Sequence, residues 1–200
     1  MKYASVWQRL IAGVIDRLVG FTLAVWFVLK LAQSTSVDAI LTSLLTYIIF
    51  VVWFGIGYLI IQAYLATKFG GSLGKLITGI EITTSSGKYI SFWRAMFREL
   101  VAQMLSNLLF GLGFWWLLKD QNKQTWHDMT LDTFVVVKRP ANTLVGAVVL
   151  GLLLLGNVML IKNIVSGFNQ NKNIYLEVIG EAANTFEESV LKNYTISPGE

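Results

Sequence analysis

From residue 40 to residue 66 the chain carries no Asp, Glu, Lys, Arg or His. A helix over that stretch reaches about 40 Å at 1.5 Å per residue, enough to cross an apolar bilayer core of ~30 Å with some tilt. Residues 10–29 have the same character apart from Asp16 and Arg17, and residues 144–161 are interrupted only by glycines and Asn157. In lipid each backbone polar group must find its partner inside the segment, so runs of this kind form helices. Composition agrees: 54% of residues are hydrophobic and 14% charged, where soluble domains carry about 25% charged residues. The absence of cysteine excludes a disulfide scaffold, cysteine zinc sites, iron–sulfur clusters and thiol catalysis. The net charge of +4 is spread along the flanks of the apolar runs. That distribution belongs to a membrane protein orienting itself rather than to a nucleic-acid binder. Lys30, just before the small residues at 32–34, and the charges within the first run argue against a cleaved leader.

Residues 101–118 have spanning length but contain Gln103, Ser106 and Asn107 and are broken by glycines at 111 and 113. Basic residues lie on both sides: Lys88, Arg94 and Arg98 before, Lys119, Lys123, Lys138 and Arg139 after. A single crossing would leave one cluster outside, whereas a helix that enters, turns and returns keeps both inside. Such a segment must be covered by protein or water. The expected fold is therefore an all-α membrane protein with three spanning helices and one re-entrant or interfacial helical segment. It comprises a membrane domain over 1–142, with spans at 10–29 and 40–66 and the re-entrant segment at 94–118. An additional transmembrane helix at 143–162 and an extramembrane tail at 163–200, made acidic by five glutamates, complete it. The N-terminus and residues 67–142 lie inside, residues 30–39 form the outer loop, and the tail lies outside; a full third crossing would put the tail inside.

Alternation and turn composition predict a small inner β element, with strands at 79–84, 89–92 and 134–137. Within the tail, 174–179 reads as a strand, 181–192 as an amphipathic helix, and 193–195 as a common sequon. Trp93, Met96, Phe97 and Leu100 share one helical face, with Arg94 and Arg98 on another. This is the pattern of an interfacial helix whose arginines bind anionic lipid headgroups.

Arg9, Asp16 and Arg17 begin the first span, where a charge costs a few kcal/mol unless paired or hydrated. Arg9 and Asp16 fall on nearly one face, together with Ala12, Gly13 and Gly20, whose small side chains admit a close neighbour. Two readings stand: a structural pair of Asp16 with Arg9 or Arg17, or a site that handles an ion or small ligand. His127 is the single histidine, so a histidine-rich metal site is excluded within one chain, and a hydrogen-bonding role outweighs ligation. Asp128 is either a partner for Arg9 or a helix N-cap. The stretch GGSLGK (70–75) misses the phosphate-loop pattern, with Phe69 at its first glycine and Leu76 after the lysine. With no nucleophile, zinc-protease or paired-carboxylate motif, no enzymatic activity, cofactor or metal is predicted.

Taken together, VWQRLIAGVID (6–16), GSLGKLITGIEI (71–82), WRAMFREL (93–100), GLGFWWLLKD (111–120) and TWHD (125–128) resemble the RDD family of bacterial membrane proteins. The resemblance covers about 4 to 138. It places the family's arginine and two aspartates on Arg9, Asp16 and Asp128; from their positions in the sequence, Arg17, His127 and Gly13 are expected as supporting residues. Many members end near residue 138, so the last span and tail depart from the pattern. The resemblance implies an inner-membrane, multi-pass protein, with transport of unidentified ligands the usual suggestion. The expected function is transport or exchange of an ion or small ligand through a homo-oligomer in anionic lipid. The alternative is a non-transporting scaffold or envelope assembly factor whose tail binds a partner protein.

Overall fold

The structure, a computed structural model, describes residues 2–108, 112–140 and 142–195. Helix α1 (Val6–Ala32) opens on a reciprocal cap: Ser5 Oγ accepts from the Gln8 N–H at 3.2 Å, and the Gln8 side chain accepts from the Ser5 N–H at 2.9 Å. Helix α2 (Val37–Phe69) starts at Ser36, whose hydroxyl accepts from the Ala39 N–H. Its 33 residues measure about 50 Å along the axis. There follow α3 (Leu73–Thr78), β1 (Ile80–Thr84), α4 (Phe92–Leu108), α5 (Leu112–Trp115), a 3-10 turn (Trp116–Leu118), α6 (Trp126–Thr130) and β2 (Thr133–Val137). The chain ends in α7 (Asn142–Gln170) and α8 (Lys172–Thr195). Among the described residues three helices, α1, α2 and α7, are long and apolar enough to cross a membrane. The expected runs at 10–29, 40–66 and 143–162 lie within them. Ile48, Ile49, Val52, Trp53 and Ile56 of α2 are more than half exposed, as lipid-facing side chains are.

The helices contribute to two compact units, one of 1–23 with 50–157 and one of 24–49 with 158–200. In the first, β1 and β2 pair antiparallel from Ile80↔Val137 to Thr84↔Thr133. Ile80, Ile82 and Val135 pack with Ala12, Ala63, Ile90 and Ala95 in its core. Two of the three expected strands are thus present, but 89–92 is not one of them. Gly70 O takes the Ile82 N–H, Lys88 O takes the Thr84 N–H, and the helix of α4 begins at Phe92. The edge of β1 is therefore occupied by the loop around Gly70, and the chain turns away into a helix. Gly79, with φ +73°, ends α3 in the left-handed conformation; a Cβ there would lie 2.2 Å from Arg139 O, so the position admits only glycine. In α7, Asn157 donates to the Thr22 hydroxyl of α1 at 2.8 Å, a polar link between two apolar helices.

The second unit corrects the reading of the tail. Residues 174–179 lie inside α8, not in a strand, and α7 runs on to Gln170. Asn171 Nδ2 donates to Ala32 O at 3.0 Å, and the Tyr175 hydroxyl donates to Leu31 O. The turn between the helices is thereby fastened to the end of α1, and a helix that begins at a fixed point propagates more readily than it nucleates. The glycine turn expected around Gly111, the side chains of Gln103, Ser106 and Asn107, and the side chains of the sequon at 193–195 lie outside the described residues.

Candidate functional site

The site is assembled within the first unit around two carboxylates. Asp128 is fixed first by its own helix: Thr125 precedes α6, and its N–H and hydroxyl donate to Asp128 Oδ2 at 3.2 and 2.9 Å. Arg9 of α1 then reaches the same oxygen at 2.6 Å, and Arg98 of α4 reaches Oδ1 at 2.6 Å. Asp128 is 0% exposed. Burial pushes its carboxyl up, but the charges of Arg98 and then Arg9 outweigh burial and hold it well below the usual carboxylate range. Arg9 also donates to Lys123 O, where the chain takes a positive φ. Of the two readings of Asp128, the arginine partner is the one realised: the N-cap of α6 is Thr125, and Asp128 stands at the third helical position, where it accepts from the Thr125 N–H.

His127 shares the Thr125 hydroxyl, 3.0 Å from Nε2. That hydroxyl has one proton, and the Asp128 carboxylate can only accept it. Nε2 must then carry the hydrogen and donate to Thr125, which makes the neutral ring the Nε2–H tautomer. Burial, followed by the charge of Arg98, pushes the imidazole down to about 4. The hydrogen-bonding role expected of this residue is the one it has.

Asp16 lies seven residues beyond Arg9, about 10 Å along α1, and its partners come from elsewhere. Gly74 N–H donates to Oδ1 at 2.6 Å, Gln62 of α2 donates to the same oxygen at 3.2 Å, and Ser72 Oγ donates to Oδ2. Lys75 stands 4.0 Å away and donates to Ser72 Oγ at 2.8 Å. Ser72 is the N-cap of α3, so the carboxylate sits at the positive end of that short helix. Gly74 lies against α1, where a Cβ would fall 2.1 Å from Ala12 O. The close approach anticipated on this helix face occurs there, not at Gly13, whose added Cβ would meet nothing within 4 Å. The anticipated pairing of Asp16 with Arg9 or Arg17 is absent: Arg9 is taken by Asp128, and Arg17 is exposed at the rim of the cavity described next.

That cavity has a volume of about 330 Å³, within the range of small-molecule pockets (about 300–1,000 Å³). Arg9, Asp16, Arg17, Lys75, Arg98, Glu99 and His127 supply its charged and ionisable wall, and Gly13 lies on its α1 side. Lipid headgroups cannot be the partner of Arg98. It is 3% exposed and bound to Asp128, because α6 docks on the face of α4 that helical periodicity assigned to solvent. Arg94 is partly exposed and donates to Asp132 O at 3.2 Å. Sequence reasoning missed Gln62, Ser72 and Tyr58, whose hydroxyl donates to Asp16 O. A lone glutamine within an uncharged apolar run was the available signal for the first, since buried polar groups in membrane helices need partners.

Three helices long and apolar enough to cross a membrane, with a charged cavity in the first unit, define a helical membrane protein. The chain belongs to the RDD family, whose model matches residues 3–132. That span contains each charged residue of the cavity wall and both carboxylate clusters, and leaves β2, α7 and α8 outside. No match is found among curated proteins or solved structures.

Proposed function

We propose that the protein moves or exchanges a small ligand or ion across a membrane, in an oligomeric assembly, through the cavity beside α1. The observation that carries this reading is the cavity itself, in which Arg9 and Asp16 share a wall with Lys75 and Arg98. Charges at membrane depth are costly unless they serve packing or a pathway. Asp128 has its acceptors filled and serves packing; Asp16, with Glu99, lines open space. Re-entry of the third segment fits the geometry, since Arg98 meets Asp128 at 2.6 Å, and Phe114, sixteen residues on from Arg98, lines the same cavity. Arg98 and Phe114 lining one cavity suits a segment that enters and returns, which keeps both basic flanks on the cytoplasmic side. The test uses pyranine-loaded vesicles containing purified protein, challenged in turn with gradients of Na⁺, K⁺, chloride and inorganic phosphate. A protein-dependent flux that disappears in Asp16→Asn, with the variant still folded and inserted, is the expected result. Wild-type flux in Asp16→Asn overturns the reading, as does no flux with any of the four.

A scaffold role has one observation in its favour. Helix α8 exposes Leu176, Ile179 and Phe186 at more than half of their surface, and single apolar side chains on a polar helix are how a partner helix is gripped. Deleting α8 without effect on a measured flux would assign the tail to such a role; loss of that flux would attach it to transport.

A further inference from the structure

We propose that a second cavity, at the membrane boundary where α2 ends and α7 begins, is a headgroup site for an anionic glycerophospholipid. It shares no lining residue with the cavity beside α1 and does not depend on what that cavity carries.

The cavity has a volume of about 340 Å³ and is lined by Leu76, Gly79 and Ile80, where α3 gives way to β1. Lys68, Lys138 and Arg139 are its cations, and Glu81 is the one acidic residue in its wall. That carboxylate is already taken: Lys138 Nζ donates to Oε2 at 2.6 Å and the Tyr89 hydroxyl donates to it at 2.9 Å. Lys68 and Arg139 form no ion pair among the described residues, so the wall carries two positive charges without a counterpart (3 − 1 = +2). On a soluble surface water would satisfy both; here they stand where water meets lipid. Lys68 is in the last turn of α2, two residues past the uncharged run at 40–66, and Arg139 is three residues ahead of α7. Basic residues at that level attract acidic lipids, and basic pockets between spanning helices hold their headgroups. A zwitterionic lipid would bring a cation of its own, and no carboxylate of the wall is left to receive it.

The backbone fixes where these cations stand. The N–H groups of Lys138 and Arg139 both donate to Gly79 O at 2.9 Å, and Gly79 is held in its left-handed conformation at the end of α3. The site is therefore built before a ligand arrives, which lowers the ordering cost of binding. Its surroundings suit a lipid better than a free anion. Phe69, next to Lys68, is 54% exposed. Leu144, Val148, Leu152 and Leu155 of α7 are more than half exposed and recur every three or four residues, an apolar stripe that starts five residues beyond Arg139. The packed side of α7 is the opposite one, where a Cβ at Gly146 would lie 2.5 Å from Thr78 Cγ2. A headgroup in the cavity thus has an apolar track for its acyl chains, which inorganic phosphate would leave unused.

The test measures equilibrium binding of radiolabelled dioleoyl phosphatidylglycerol, and of phosphatidylcholine with the same chains, to the purified full-length protein in a neutral maltoside detergent. Phosphatidylglycerol is expected to bind at least about tenfold tighter than phosphatidylcholine. Lys68→Gln and Arg139→Gln should each weaken phosphatidylglycerol by about fivefold. Both side chains are exposed and unpaired among the described residues, so phosphatidylcholine binding and the melting temperature should not change. Lys88→Gln combined with Lys119→Gln removes two exposed cations from outside the cavity and should leave both affinities as they were. An equal loss in that pair assigns the attraction to general surface charge and overturns the site. Undiminished phosphatidylglycerol binding in the Lys68→Gln, Arg139→Gln double variant overturns it too, as does phosphatidylcholine binding as tightly as phosphatidylglycerol. Displacement of phosphatidylglycerol by an equal concentration of inorganic phosphate would make the ligand a free anion and overturn the lipid.

Discussion

Asp128 accepts from two guanidinium groups, from the Thr125 N–H and from the Thr125 hydroxyl, all on a carboxylate with no exposed surface. Removing it strands two buried arginines. Asp128→Ala is therefore expected to destabilise the protein by on the order of 3–5 kcal/mol. Thermal unfolding in detergent should detect this, while Asp16→Asn, which keeps one acceptor oxygen for Gly74, should lose much less. The same cluster sets the response to acid. His127 falls from an ordinary 6.5 to about 4 in the folded chain, so the unfolded state takes up the proton first as pH drops. Its contribution is intact above pH 6.5 and is lost between 6.5 and about 4, about 3 kcal/mol in all. Asp128, depressed in the fold, adds a second loss that begins below its ordinary value of 3.8. A melting temperature falling steadily from pH 6.5, with His127→Gln flattening the part above pH 4, checks both signs. A flat profile between pH 6.5 and 4 in the unmodified protein would contradict the histidine's burial. At this scale the sequence revealed which residues matter better than it revealed their partners. Arg9, Asp16 and Asp128 stand out as charges in apolar surroundings, but Arg98 reads as a surface residue because periodicity knows only its own helix. What buries it is α6, twenty-eight residues further on.

At the scale of elements, the decisive contact is between α3 and α1. Helix α3 has six residues, too few to hold together alone. It is held by the Asp16 carboxylate at its N-terminus, by Gln62 Oε1 accepting from the Leu73 N–H, and by the close approach of Gly74 to Ala12 O. Gly74→Ala is consequently expected to push α3 away from α1 and break the Gly74–Asp16 hydrogen bond, with a loss of several kcal/mol or failure to fold. Gly13→Ala, one residue from Ala12 on the same helix, should be neutral in the same melting assay. A reversal of that order would mean that the close contact is misplaced. Long apolar runs made α1, α2 and α7 legible, because lipid leaves a spanning segment no other conformation. Short elements were less so. The strands at 80–84 and 133–137 follow from alternation and β-branching, yet 89–92 has similar composition and forms none, since the neighbouring edge is already taken. In α8 the β-branched residues around 174–179 were overridden by helix propagation from a fastened turn.

For the whole molecule the open quantity is sidedness, and the chain's lack of cysteine makes it measurable. Ser86, Gln121 and Ser189 are each exposed, so a single cysteine at any of them reacts without disturbing a contact in a core. Under re-entry of the third segment, Ser86 and Gln121 lie on one side and Ser189 on the other, because only α7 separates the last two. The Arg98–Asp128 bond ties the flanks of that segment together, whereas opposite placement of 86 and 121 would require one full crossing between them. The positive charge of both flanks adds an independent bias towards the cytoplasmic face. A membrane-impermeant maleimide applied to intact cells is therefore expected to label the Ser189→Cys protein and spare the Ser86→Cys and Gln121→Cys proteins, with all three labelled after permeabilisation. Labelling of Ser86→Cys and Gln121→Cys on opposite faces would make the third segment a full crossing and move α8 to the cytoplasm. That outcome would also move the acidic tail to the side of the basic flanks, where α8 could meet the cytoplasmic face of its own membrane domain.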